Sequence, residues 1–182
     1  MLVKIDPKEY DVVIELAYAT TANFTGKAGY KKNDCYLHNE AALLLKEAAR
    51  LASGMGYKIK IFDAYRPTEA QFKLWEHTPD PAFLANPTSG SPHSRGVAID
   101  LTLLDKDGKE LDMGTAFDDF TSRSHHGNTE VSPEAQKNRN ILLGLMSAAG
   151  WDFYSNEWWH YQMFNPRAYG LISDKEAGAN LM

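Results

Sequence analysis

In the stretch Ser91-Pro92-His93-Ser94-Arg95-Gly96-Val97-Ala98-Ile99-Asp100-Leu101-Thr102-Leu103-Leu104, two patterns follow one another. Val97, Ile99, Leu101 and Leu103 alternate with Ala98, Asp100, Thr102 and Leu104, which is the two-residue period of a β-strand with one apolar face. On the opposite face Asp100 has only Ala98 and Thr102 beside it, both small, so its carboxylate faces something that needs room. His93 sits just before the strand, and Gly96 lets the backbone turn tightly between the two. An imidazole and a carboxylate are both good zinc ligands.

Reading outward in the N-terminal direction, residues 78–92 carry Pro79, Pro81, Pro87, Gly90 and Pro92 and form a long loop, a feature that in compact domains often serves function. Before it, Pro67 opens a helix over Thr68 to His77. Tyr57 to Phe62 alternates as a strand, and residues 39–53 form a helix with Asn39 as cap and Gly54 and Gly56 as stop. In the other direction, Asp105-Lys106-Asp107-Gly108 is a turn, with Lys109 to Met113 returning as a hairpin partner. A second loop follows to about Val131. Ser132 and Pro133 then start a helix whose stripe is Ile141, Leu142, Leu145, Met146 and Ala149. Trp151 to Phe164 reads as two short strands turning near Ser155-Asn156. Helices and hairpins in this order, without regular βαβ alternation, predict an α+β fold: a single domain over residues 1–182, with a central antiparallel sheet and flanking helices.

Two further segments carry chemistry. In Glu157-Trp158-Trp159-His160 a carboxylate and an imidazole stand three residues apart, which on a flat strand would send them to opposite faces, so a bend is expected at Glu157. His160 then becomes a third zinc ligand beside His93 and Asp100, with Glu157 as a base. Three protein ligands leave a fourth position for water, the mark of a catalytic rather than structural zinc. In Asp63-Ala64-Tyr65-Arg66-Pro67 the arginine is placed to stabilise charge on a carbonyl oxygen, with Asp63 orienting it or capping the next helix. Taken singly each residue has a bland alternative: most histidines are surface or core residues, and Trp158 and Trp159 read as core. The case rests on the three segments together.

Composition narrows the rest. A chain of 182 residues with 43% hydrophobic and 24% charged residues is an ordinary globule with enough length for one core. A net charge of -5 with scattered basic residues argues against a nucleic-acid partner. No apolar run is long enough for a bilayer, and the N-terminus has no secretory pattern, so a cytoplasmic protein without membrane contact is expected. Cys35 is the sole cysteine and reads as a packed thiol of a reducing compartment.

The patterns Ser-x-His-x-x-Gly-x-Ala-x-Asp at 91–100 and Glu-x-Trp-His at 157–160 resemble the zinc D-Ala-D-Ala peptidase superfamily, which includes cell-wall carboxypeptidases and the hedgehog signalling domain. Tyr18-Ala19-Thr20, Asn23-Phe24-Thr25-Gly26, Tyr65-Arg66-Pro67, Met113-Gly114, Phe117-Asp118 and Arg123-Ser124-His125-His126 look like one branch of it, the D-alanyl-D-alanine dipeptidases. The resemblance spans residues from about 14 to about 161. It implies one Zn2+ per chain on His93, Asp100 and His160, with Glu157 as base and later proton donor and Arg66 stabilising the tetrahedral intermediate. It further implies that Tyr18 and Asp118 contact the substrate ammonium, that Ser91 helps to hold the dipeptide, and that His125 and His126 order their loop. The partner so implied is a small D,D-dipeptide, and homo-oligomerisation stays open. Two other readings compete: a D,D- or L,D-carboxypeptidase acting on longer wall peptides, and a zinc-stabilised binding module without catalysis. Tyr18 with Asp118 argues against the first, and Glu157 with Arg66 against the second. The tail after about Arg167 carries no readable motif.

Overall fold

A computed structural model describes residues 1–182. In chain order its elements are β1 (Leu2–Lys4), β2 (Val12–Ile14), β3 (Tyr36–His38), α1 (Asn39–Gly54), β4 (Lys58–Asp63), α2 (Thr68–His77), β5 (Ala98–Leu104), α3 (Pro133–Ala148), β6 (Asp152–Phe153), β7 (His160–Gln162) and α4 (Asp174–Ala177). Five strands form one sheet in the order β2-β4-β5-β7-β6, and β1 pairs with β3 in a separate ribbon. The expected antiparallel sheet is present from β4 to β6, but β2 joins its edge in parallel to β4. A parallel neighbour requires a crossover, and the chain supplies one through β3 and α1.

One face of the sheet is covered by helices. Ile99, Leu101 and Leu103 of β5 belong to the same apolar cluster as Leu45, Ala48 and Ala52 of α1 and Leu142, Leu145 and Met146 of α3. This is the face the alternation marks as apolar. The other face is not open to water, however: all seven residues of β5 are buried. In the tail, Ala179 and Leu181 enter the core, while Ile172 bonds Ser94 through its N–H and accepts from the Tyr65 hydroxyl. A segment without a readable motif thus braces the turn that carries His93.

Local chemistry moves two expected boundaries. The cap of α1 is His38, not Asn39: its Nδ1 accepts from Glu40 N–H at 3.4 Å while its own backbone is still extended at the end of β3. The hairpin partner over 109–113 shrinks to a single bridge between Leu104 and Glu110. Side chains from α3 divert it, Asn138 donating to Asp112 O at 2.9 Å and Arg139 Nε to Met113 O at 2.7 Å. Ser132 caps α3 as expected, accepting from Ala135 N–H.

Candidate metal centre and substrate pocket

The strand register builds the centre. Asp63 on β4 pairs with Asp100 on β5, and Asp100 pairs with His160 on β7, so three polar side chains stand in one row across the sheet. Directly paired residues share a face. Asp63 reaches that row only because β4 carries a bulge between Ile61 and Asp63. Without the extra residue, Phe62 would oppose Asp100 and Asp63 would point to the helices.

His93 comes from a single 3-10 turn, His93–Arg95, ended by Gly96 in the left-handed region at φ 70°. A Cβ at Gly96 would lie 2.4 Å from the Leu2 side chain and 3.1 Å from the His38 amide nitrogen, so conformation and space both require glycine. Glu157 sits in the β6–β7 turn; its N–H bonds Tyr154 O and its own carbonyl accepts from His160 N–H, which is the bend the spacing demands.

The three ligand atoms meet closely. His93 Nε2 lies 3.3 Å from Asp100 Oδ1 and 3.1 Å from His160 Nδ1, and His160 Nδ1 lies 3.0 Å from Asp100 Oδ1. All three residues are buried. Ligands held tetrahedrally around zinc at about 2.0–2.1 Å stand about 3.3 Å apart, so two imidazoles and one carboxylate at these separations fit that ion. Burial would push the Asp100 carboxyl up, but the adjacent His93 and the hydrogen bond from His160 outweigh it and hold the group well below the usual carboxylate range. His160 is drawn upward although burial opposes its charge, because Asp100 and Glu157 face it. Glu157 Oε2 lies 3.9 Å from His160 Nδ1. Burial raises the Glu157 carboxyl to about 7, against the pull of His160.

Arg66 is clamped. Its Nε and Nη2 each donate to Asp63 Oδ2 at 2.8 Å, its Nη1 donates to Gln71 Oε1 at 2.9 Å, and its guanidinium lies 4.9 Å from the Tyr18 ring centroid. Tyr30 donates to the other Asp63 oxygen at 2.9 Å. Burial disfavours the guanidinium charge, but Asp63 outweighs it, so Arg66 stays charged and points an Nη2 toward Asp100 at 3.7 Å. Asp63 therefore orients Arg66 and does not cap α2.

His93, Asp100, His160, Glu157 and Arg66 line one cavity of about 240 Å³, together with Tyr18, Ser91 and Asp118. The Tyr18 hydroxyl donates to Asp118 Oδ1 at 3.3 Å, while Asp118 Oδ2 is shut off from solvent without a hydrogen-bond partner. Burial raises the Asp118 carboxyl well above its ordinary value, and the Asp100 charge adds to this. Ser91 Oγ accepts from His93 N–H at 3.2 Å. Asp119, by contrast, only closes a local turn onto Thr121 N–H. Residues of the 78–92 loop form one wall, fastened by a hydrogen bond from Tyr154 to Ala82 O at 3.3 Å and by Phe83 stacked on Phe120 at 4.9 Å. Trp158 and Trp159 are core residues, though Trp159 also reaches the cavity.

All eight expected site residues thus meet in one place. Four supporting residues escape the sequence reading. Gln71 also donates to Ala85 O at 2.8 Å, joining Arg66 to the loop wall; no spacing rule signals this across Pro67. Tyr30 braces Asp63. Gln162 lies beside His160 at 3.2 Å, and their two-residue separation on a strand was the available signal. Arg139, on the buried stripe of α3, donates to Met113 O, Arg123 O and His125 O. It thereby orders the loop that carries Asp118, and a charged residue on an apolar stripe was the sign.

The chain is 44% identical over 165 residues to a D-alanyl-D-alanine dipeptidase of Escherichia coli (strain K12), covering 91% of this chain and 86% of that protein. Proteins of the same description from Enterococcus faecium and Enterococcus faecalis (strain ATCC 700802 / V583) are 37% and 34% identical, covering 86% and 88% of this chain and 88% and 90% of theirs. A peptidase M15 family model described as D-Ala-D-Ala dipeptidase matches residues 2–170. His93, Asp100 and His160, which could hold a metal ion, fall within that span, and the chain belongs to the D-Ala-D-Ala dipeptidase family of M15 zinc peptidases.

Proposed function

We propose that this chain, acting through residues 1–182 as one unit, hydrolyses free D-alanyl-D-alanine to two alanines. The observation that carries the substrate is Asp118: a buried carboxyl with one unpartnered oxygen, in the same cavity as the metal triad. A free dipeptide brings an ammonium able to donate to that oxygen and to draw its proton off by charge pairing. An N-acylated peptide brings no such charge. The D configuration is supported by the relatives, all three described as D-alanyl-D-alanine dipeptidases.

His93 Nε2, Asp100 Oδ1 and His160 Nδ1 are the atoms that would hold zinc. Bound there, zinc supplies Lewis acidity, polarising the peptide carbonyl and acidifying water. Glu157, poised at about 7, can accept the proton of attacking water at its carboxylate and return it to the leaving amine. Arg66 is preorganised by Asp63 and Gln71, so it offers fixed positive charge to a carbonyl oxygen that gains negative charge. Tyr18 keeps Asp118 aimed, and Ser91 braces the His93 turn while facing the substrate.

The carboxypeptidase reading needs room for a longer peptide beyond the ammonium site. The Tyr154–Ala82 bond and the Phe83–Phe120 stack support a walled cavity instead. The binding-module reading leaves Glu157 and the buried Arg66 clamp without a purpose. No helix is long and apolar enough to cross a membrane; a cytoplasmic place of work is supported by the buried free thiol of Cys35. The deciding experiment is a panel of D,D, L,D, D,L and L,L alanyl dipeptides and N-acetyl-D-Ala-D-Ala, with zinc and with a chelator. Release of alanine from free D,D-dipeptide, lost with chelator and absent for the acetylated form, is expected. Equal turnover of the acetylated form would favour the carboxypeptidase, and no release from any member would remove the enzyme reading.

A further inference from the structure

His160 presents Nδ1 to the ligand cluster, 3.0 Å from Asp100 Oδ1 and 3.1 Å from His93 Nε2. A neutral imidazole has one bare nitrogen, so if Nδ1 gives its lone pair, Nε2 carries the hydrogen and must donate it. In the structure the group facing Nε2 is the Gln162 side chain, with Oε1 at 3.2 Å. We propose that Gln162 is a positioning residue for the metal centre: its side-chain carbonyl accepts from His160 Nε2–H and fixes both the tautomer and the ring plane that aim Nδ1 at the cation. The inference rests on the zinc reading above and adds to it the residue that selects the ligating nitrogen.

His93 provides an internal comparison. It would coordinate through the opposite nitrogen, Nε2, and its Nδ1 is held by the backbone carbonyl of Ala64 at 2.7 Å. Each histidine is therefore set by a carbonyl on its far side, one from the main chain and one from a side chain. The strand explains why a side chain can serve at His160: residues 160 and 162 of β7 share a face, and Gln162 reaches the ring from the next position along it.

The test uses the whole chain as Gln162→Met, which keeps length and loses the acceptor, and Gln162→Glu, which keeps the acceptor. Zinc affinity is measured by competition with a chromophoric chelator, and the visible spectrum is recorded after loading with cobalt(II). Gln162→Met should bind zinc about 10–100-fold more weakly and show a shifted cobalt spectrum. Gln162→Glu should stay within about threefold of the parent. Unchanged affinity and spectrum in Gln162→Met would overturn the proposal, as would a loss in Gln162→Glu equal to that in Gln162→Met. Should Gln162→Met fail to fold, Gln162→Asn, which withdraws the acceptor by one methylene, gives the same comparison with Gln162→Glu. A parent protein that binds no zinc would refute the zinc reading itself, a result distinct from any of these.

Discussion

Replacing Glu157 by glutamine should make the zinc-free protein more stable at alkaline pH and leave it unchanged in acid. Burial lifts the Glu157 carboxyl from 4.5 to about 7. Below about pH 4.5 the carboxyl is protonated in both the folded and unfolded chain, so it contributes nothing to the difference. Between that pH and 7 the unfolded chain releases its proton while the folded chain keeps it. The unfolded state then binds fewer protons, and stability falls as pH rises. Above 7 the penalty is complete. A shift of about 2.5 units at about 1.4 kcal/mol each gives about 3 kcal/mol as an upper figure. Glutamine has nearly the same shape and no charge to desolvate, so Glu157→Gln should regain about 2–3 kcal/mol at pH 8.5 and nearly none at pH 4.5. Asp100, held low, has the opposite sign and loses its contribution in acid, below the pH window in which Glu157 titrates. The assay is urea unfolding of parent and variant, stripped of metal, at several pH values. Added zinc should shrink the gap, since a cation favours the carboxylate. A stability gap independent of pH, or a variant less stable than the parent at pH 8.5, would refute the reasoning. Hydrolysis should be lost in the same variant while zinc affinity is kept, so the catalytic carboxylate and its energetic cost are read in one protein.

Three further outcomes follow from the geometry. Asp118→Asn removes a charge-assisted contact worth about 1.5–3 kcal/mol, so the dipeptide KM should rise about 10–100-fold while kcat and zinc affinity change little; parallel loss of zinc would show Asp118 to be misassigned. Arg139→Leu strands the carbonyls of Met113, Arg123 and His125 and should cost about 3 kcal/mol or more in urea unfolding, with a raised KM through the loop bearing Asp118; a loss under about 1 kcal/mol would mean that water replaces the guanidinium freely. Gly96→Ala puts a Cβ at φ 70° and within 3.1 Å of the His38 amide nitrogen, and a cost of about 1–3 kcal/mol is expected in thermal unfolding; an unchanged Tm would show the turn to be more yielding than its contacts imply.

The sequence makes legible the residues whose neighbours along the chain reveal them. The strand at Ala98–Leu104, the helix opened by Ser132-Pro133 and the bend at Glu157 all follow from periods and caps within a few residues. What escaped depends on partners distant in sequence. The parallel edge strand β2 is three residues long and acquires meaning only through β4. The hairpin over 109–113 fails because Asn138 and Arg139, some 26 residues on, take its carbonyls. Arg66 could be marked as a site residue, but its hold by Gln71 and the bracing of Asp63 by Tyr30 could not, since neither partner lies at a spacing that a helix or strand would set. The tail gave no signal because its work is to fill space and bond backbone groups, which residues of many kinds can do.

The two sides of the cavity, proposed for metal and for substrate, are built differently, one on the sheet and one on a loop. Asp63, Asp100 and His160 occupy consecutive places in a hydrogen-bonded row, so their separations are set by strand spacing and cannot drift without breaking the sheet. His93 joins them from a turn tied to β1, β3 and the tail. The substrate side is built otherwise: Asp118 stands on a loop, in the left-handed region at φ 61°, a conformation that costs energy for any residue but glycine. Arg139 and the Tyr18 hydroxyl hold the loop and its carboxyl in place from outside the sheet. Changes at Asp100 and His160 should therefore register first in metal affinity, changes at Asp63 first in the placement of Arg66, and changes in the 113–126 loop first in KM. A related chain could alter its choice of amino terminus by remodelling that loop while leaving Asp63, Asp100 and His160 in their register.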